Sequence, residues 1–180
     1  FVFVSGNHDS DALIEELERD GAIVLDDTRP VRTVAGLRVA GYGDPFERRE
    51  ADDFADRYEQ QPGPARQAAF AMWFASVRDQ VDVVMVHDPN LLAHARLDLQ
   101  ADPPSRPIVF LVGHSHDATV IREGNVTILN GGSIGAGGTG NLADEVRKPV
   151  ALATLFYARA SVFTPLAADL VSIDPGTGSS

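Results

Sequence analysis

Five histidines occur in the 180 residues, and four of them stand just beyond an apolar run. Val83-Val84-Met85-Val86 stops at His87, and Phe110-Leu111-Val112-Gly113 delivers His114, with His116 two residues on. Phe1-Val2-Phe3-Val4-Ser5-Gly6 delivers Asn7-His8-Asp9 in the same manner. Strand ends of an open sheet converge on one rim, where ligands bind. Neutral imidazoles and an amide oxygen gathered on such a rim suit a divalent cation; imidazole takes Zn, Mn, Fe or Ni, and the amide oxygen takes harder ions. Two imidazoles at i and i+2 after a strand can point into one cavity while reaching positions several Å apart. That geometry serves two metals about 3.5–4 Å apart. Gly113 lets the backbone approach closely, as Gly6 does beside Asn7. The plainer reading, histidines merely satisfied at strand ends, fits each position singly and fits the joint pattern poorly. His94 lies mid-helix and reads as a structural or surface residue. Asp88 either accepts an imidazole N–H or caps the following helix through Asn90.

These side chains need elements to position them. Residues 1–4 read as a short buried strand stopped by Ser5-Gly6. A helix over 12–19 is capped by Asp9, Ser10 or Asp11 and stopped by Gly21. Strands follow over 22–25, 31–35 and 37–42. Residues 47–61 are strongly charged and read as a solvated helix or loop, and 60–64 read as an internal linker. A helix over 65–79 places Ala69, Met72, Trp73 and Val77 on one face. A β-branched strand over 81–86, a short helix over 90–97 and a buried strand over 108–112 come next. Gly124-Asn125 joins strands 119–123 and 126–129 in a hairpin. Residues 130–141 are a glycine-rich loop. Late strands cover 150–158, 161–164 and 170–173, and 175–180 form a flexible tail. Gly135-Ala136-Gly137-Gly138-Thr139-Gly140 matches G-x-G-x-x-G, but no strand directly precedes it and no acid lies about 20 residues on, so it is no dinucleotide site.

Gly6-Asn7-His8-Asp9, the strand ending in His87, and Gly113-His114-Ser115-His116 together resemble, in this order, the later metal motifs of calcineurin-like metallophosphoesterases. The resemblance runs from Phe1 to about Ile173, and Asn130-Gly131-Gly132-Ser133 resembles the segment after that family's last motif. It implies an α/β (α+β) fold, a four-layer β-sandwich flanked by helices, and two divalent metal ions (Mn, Fe, Zn or Ni) bridged by a hydroxide that attacks phosphorus. By that resemblance Asn7, His87 and His114 bind the second metal and His116 the first. His8 is then the catalytic residue beside the phosphate, a general acid or transition-state stabiliser, and Asp9 orients His8 or the loop. The family's earlier motifs, Asp-x-His and Gly-Asp-x-x-Asp, should precede Gly6, where only one strand stands. Gly43-Asp44 supplies a Gly-Asp in the wrong order. The expectation is therefore a partial domain over 1–174, N-terminally incomplete and inactive alone, a fragment consistent with an opening Phe1.

Composition bounds the rest. Lys+Arg 15 against Asp+Glu 26 leave a formal charge of −11, with one lysine in the chain. That balance disfavours a general nucleic-acid binder, whose affinity comes from neutralising phosphates. The absence of Cys excludes disulfides and thiol catalysis. No apolar run of about 18 residues spans a bilayer; an upstream anchor and the cellular location stay open. The expected function is metal-dependent hydrolysis of a small phosphomono- or phosphodiester. The alternative is a non-catalytic scaffold of the same fold that binds protein partners.

Overall fold

The computed structural model describes residues 1–44, 62–135 and 148–174. The charged stretch over 47–61, residues 136–141 of the glycine-rich loop and the tail over 175–180 lie outside these residues.

Three short strands open the chain: β1 (Val2–Val4), β2 (Ile23–Leu25) and β3 (Arg32–Val34). Helix α1 (Asp11–Arg19) joins β1 to β2, which pair in parallel, Val2 opposite Ile23. Ser10 caps α1 by accepting the Leu13 N–H, and Asp11 and Arg19 each complement the helix dipole at their end. Ile14 is its buried residue. Strand β4 (Leu37–Tyr42) folds back on β3 through Ala35 and Gly36, both at positive φ (48° and 83°). Two such residues match the twist a tight hairpin needs.

Helix α2 (Pro64–Val77) begins on a proline whose missing N–H costs nothing at that position. Its inward face is Phe70, Trp73, Phe74 and Val77, at i, i+3, i+4 and i+7. The expected face through Ala69 and Met72 is therefore shifted: Met72 is 71% exposed. The phenyl rings at 70 and 74 compete better for the core than an alanine and a thioether. Strand β5 (Val83–Val86) leads to His87 and a 3-10 turn, Pro89–Leu91, and then to α3 (Leu92–Ala101), later and longer than the helix expected over 90–97. Pro89 and the Asp88 cap hold the first turn in the tighter form.

Strands β6 (Ile108–Val112), β7 (Ala118–Glu123) and β8 (Val126–Gly131) complete a six-stranded sheet, in the order β3-β4-β5-β6-β8-β7. Its four inner strands are parallel and both edge strands run antiparallel to them. The inner strands are nearly continuous apolar runs, as burial on both faces requires. On one face α2 and α3 pack over Val84, Val86 and Phe110, with Phe74 and Phe110 ring centroids 5.1 Å apart. The other face, Val39, Val83, Val109 and Leu129, packs against Leu25, Ala153, Leu155 and Phe163. That second layer consists of the β1-β2 pair and a hairpin of β9 (Val150–Arg159) and β10 (Phe163–Ile173). β10 is one strand where two were expected: Pro165 is absorbed by a register shift between 165 and 167, as a bulge allows. The result is a multi-strand sheet flanked by helices, with a second layer of strands, the α/β class expected.

Because β4, β5, β6 and β8 are parallel, their C-terminal ends share one rim. Val112 pairs with Asn130, and Tyr42 with Val86. That rim is where the polar motifs emerge.

Candidate metal centre

β5 ends at Val86 and places His87 on the rim with a partly buried ring. A Cβ on Gly6 would stand 2.9 Å from the His87 Cγ, Nδ1 and Cε1. The imidazole therefore lies flat against a backbone that only glycine leaves open at this distance. Asn7 follows, and its Oδ1 is 3.1 Å from His87 Nε2. The turn carrying Asn7 is closed by Asp9, whose carboxylate accepts the Gly6 N–H at 2.7 Å and whose own N–H donates to the Gly6 carbonyl at 3.1 Å. His8, between them, is exposed.

From β6, His114 Nδ1 approaches His87 Nε2 to 3.3 Å, with the two rings nearly perpendicular at 88°. His114 and His116 both adopt the left-handed backbone conformation, at φ 64° and 60°. Such a residue is uncommon unless its surroundings over-determine it. Here they do. The Gly113 N–H donates to the His87 carbonyl at 2.9 Å. Asn130, buried at the end of β8, donates through Nδ2 to the Gly113 carbonyl at 2.9 Å and the Ser115 hydroxyl at 3.0 Å, while its Oδ1 accepts the Gly132 N–H at 2.9 Å. Lys148 donates to the Ser115 carbonyl and to Asp117, the latter at 3.4 Å. The sequence motif resembling the family named Asn130 without its role. Lys148 carried no motif signal; its being the chain's one lysine was the only mark on it.

Burial first, then the nearby His114, His8 and His116, hold the His87 pKa down at about 4, so its ring is neutral at physiological pH. His116 is also lowered, by burial and then by Lys148 and His114, against a small opposing pull from Asp117. Its lone pair is therefore open to a ligand-type role near neutrality. Asp88, buried at the head of the 3-10 turn, accepts the Asn90 N–H at 2.8 Å and the Asn90 amide at 2.9 Å, a capping geometry. His94 falls on α3.

The structure thus brings Asn7, His87 and His114 together, with His116 and His8 within electrostatic reach. Two donors each about 2.1 Å from one cation, at 90–110° to each other, stand about 3.0–3.4 Å apart. The separations of 3.1 and 3.3 Å fit co-ligands of a single divalent ion, and the neutral state of His87 fits the lone pair such an ion needs. Among the described residues no group of three or more His, Cys, Asp or Glu side chains gathers into a metal shell. The third donor of this cluster is an amide, and among the described residues no carboxylate joins it. Nor, among the described residues, is any helix long and apolar enough to cross a membrane.

Comparison with curated proteins and with solved structures returned no match. The family description "calcineurin-like phosphoesterase superfamily domain" matches residues 1–146, which include Asn7, His8, His87, His114 and His116. With that span and this fold, the chain belongs to the calcineurin-like phosphoesterase superfamily.

Proposed function

We propose that the protein is a metal-dependent phosphoesterase that hydrolyses a small phosphomono- or phosphodiester. The observation carrying this reading is the convergence of Asn7 Oδ1, His87 Nε2 and His114 Nδ1 on one rim, at separations suited to one cation. Asn7, His87 and His114 would hold one divalent ion, and His116, on the same loop, would reach toward a second. Bound there, such ions polarise phosphoryl oxygens and lower the pKa of a coordinated water. The chain's own residues do the remaining work. Asp9 and Gly6 fix the turn that presents Asn7. His8, exposed at the mouth, donates an imidazolium proton to the departing oxygen, or offsets its developing charge.

Turnover of an aryl phosphoester by the full-length protein with added Mn(II) tests the reading. His8→Ala should lower turnover about 10²-fold or more, in the range general-acid catalysis contributes, with bound Mn(II) unchanged. Loss of Mn(II) in His8→Ala would reassign His8 as a ligand and overturn its catalytic role.

One observation favours the scaffold reading: the cluster gathers imidazoles and an amide without a carboxylate among the described residues. On that reading Mn(II) addition produces no turnover of either a mono- or a diester.

A further inference from the structure

We propose that Lys148 is a positioning residue that pins the peptide plane between Ser115 and His116 and thereby sets where His116 points. The inference rests on the metal-centre reading above and concerns a residue beyond the 1–146 span that matches the family.

The loop from Gly113 to Asp117 carries two non-glycine residues at positive φ, each costing energy that the surroundings must offset. Its anchors are unequally placed. Gly113 is held on both sides, by the His87 carbonyl and by Asn130. The Ser115 side chain is held by Asn130. The Ser115 carbonyl, however, takes its hydrogen bond from Lys148. That carbonyl lies in the same peptide plane as the His116 nitrogen. Rotating that plane is what would carry His116 from φ 60° back to ordinary backbone space, and its imidazole would swing away from the centre. The ammonium also meets the Asp117 carboxylate at 3.4 Å, so it spans both flanks of His116. A charge-assisted donor is the stronger kind of clamp for a carbonyl. Lys148 precedes β9, which starts at Val150, and so ties the loop to the second layer of the sandwich.

His114 lies outside this control, because the carbonyl of its own peptide plane, that of Gly113, is held by Asn130 at the end of β8. Lys148 therefore acts on His116 selectively. Partners that orient metal ligands typically change metal affinity 10–100-fold when removed.

The test is Mn(II) binding to the full-length protein, measured by equilibrium dialysis, for the wild type, Lys148→Met, Lys148→Arg, His116→Gly and the double variant Lys148→Met/His116→Gly. Glycine is chosen at 116 because it accepts the left-handed backbone. We expect Lys148→Met to weaken binding of one Mn(II) equivalent about tenfold, at an unchanged thermal midpoint. Lys148→Arg, which keeps a cationic donor, should restore it. The double variant should bind no more weakly than His116→Gly alone, the non-additivity expected of residues acting through one another. Lys148 is partly exposed; if Lys148→Met does not fold, Lys148→Ala carries the same comparison. Unchanged binding in Lys148→Met, additive loss in the double variant, or a change in KM with metal affinity intact would each overturn the proposal. His114→Gly separates the two levels. If it loses Mn(II) while Lys148→Met does not, only the role of Lys148 falls. If it retains full Mn(II), the metal centre falls and Lys148 with it.

Discussion

At His87 burial and crowding act in the same direction: the ring is taken from water, pressed on Gly6 and surrounded by other imidazoles. Its folded pKa of about 4 lies below the ordinary 6.5. The unfolded chain therefore binds more protons than the folded one between those values, and stability rises with pH across that window. In metal-free protein the contribution is fully present above pH 6.5 and is lost as pH falls toward 4, on the order of 3 kcal/mol at most. Urea denaturation between pH 7.5 and 4.5 should show this slope, reduced in His87→Gln; an equal slope in that variant would assign it elsewhere. Gly6 gives a second prediction at this scale. In Gly6→Ala the new Cβ meets the His87 ring at 2.9 Å. The ring must move, at a cost of about 1–3 kcal/mol from overpacking, and Mn(II) binding should weaken as well. Normal Mn(II) affinity in Gly6→Ala would show that the ring's position against Gly6 does not matter to the centre.

The elements explain why separate stretches of sequence meet. Parallel pairing of β5, β6 and β8 puts His87, His114 and Asn130 at one edge, and the β1-α1-β2 unit brings Asn7 to it. Asn130→Leu removes the donors to Gly113 and Ser115 and the acceptor for Gly132. Stripping these half-buried groups of their Asn130 partner costs about 1–3 kcal/mol, and Mn(II) affinity should fall with it. Thermal denaturation beside Mn(II) dialysis checks both. The opposite end of the sheet has its own tie. Burial alone would raise the Asp82 pKa, but hydrogen bonds and charge from Arg38 bring it below the ordinary value. Arg38→Met should therefore destabilise the fold, by about 1–3 kcal/mol, since it leaves the buried Asp82 carboxylate with the Arg38 backbone N–H and without its guanidinium partner. Much of this was legible in the sequence. An apolar run that stops at His87, and another that stops before Gly113-His114, announce strands and the residues they present. The phase of α2 was less legible, because Ala69, Met72 and Phe70 all satisfy a helical period and only packing against Phe110 and Tyr42 selects among them. Pro165 likewise reads as a strand end until the register shift beside it is seen. Lys148 was not legible: its contact with Ser115 spans 33 residues, and no local pattern marks it.

Across the whole molecule, a chain of formal charge −11 would meet the phosphoester proposed above with a net acidic composition. Positive charge is supplied locally at the rim, by bound cations on the account proposed above, with Lys148 at its flank. The fold beneath is an apolar sheet sealed on one face by α2 and α3, so that Phe70, Phe74 and Phe110 carry the stability the strained rim draws upon. The measurement that bears most directly on the central claim is the metal content of the full-length protein and of its His114→Gly variant after dialysis against Mn(II). Glycine removes the imidazole without straining the left-handed backbone at that position. The account predicts bound Mn(II) in the wild type and loss of at least one equivalent in the variant, with the fold retained. Equal Mn(II) in both, or none in either, would contradict it.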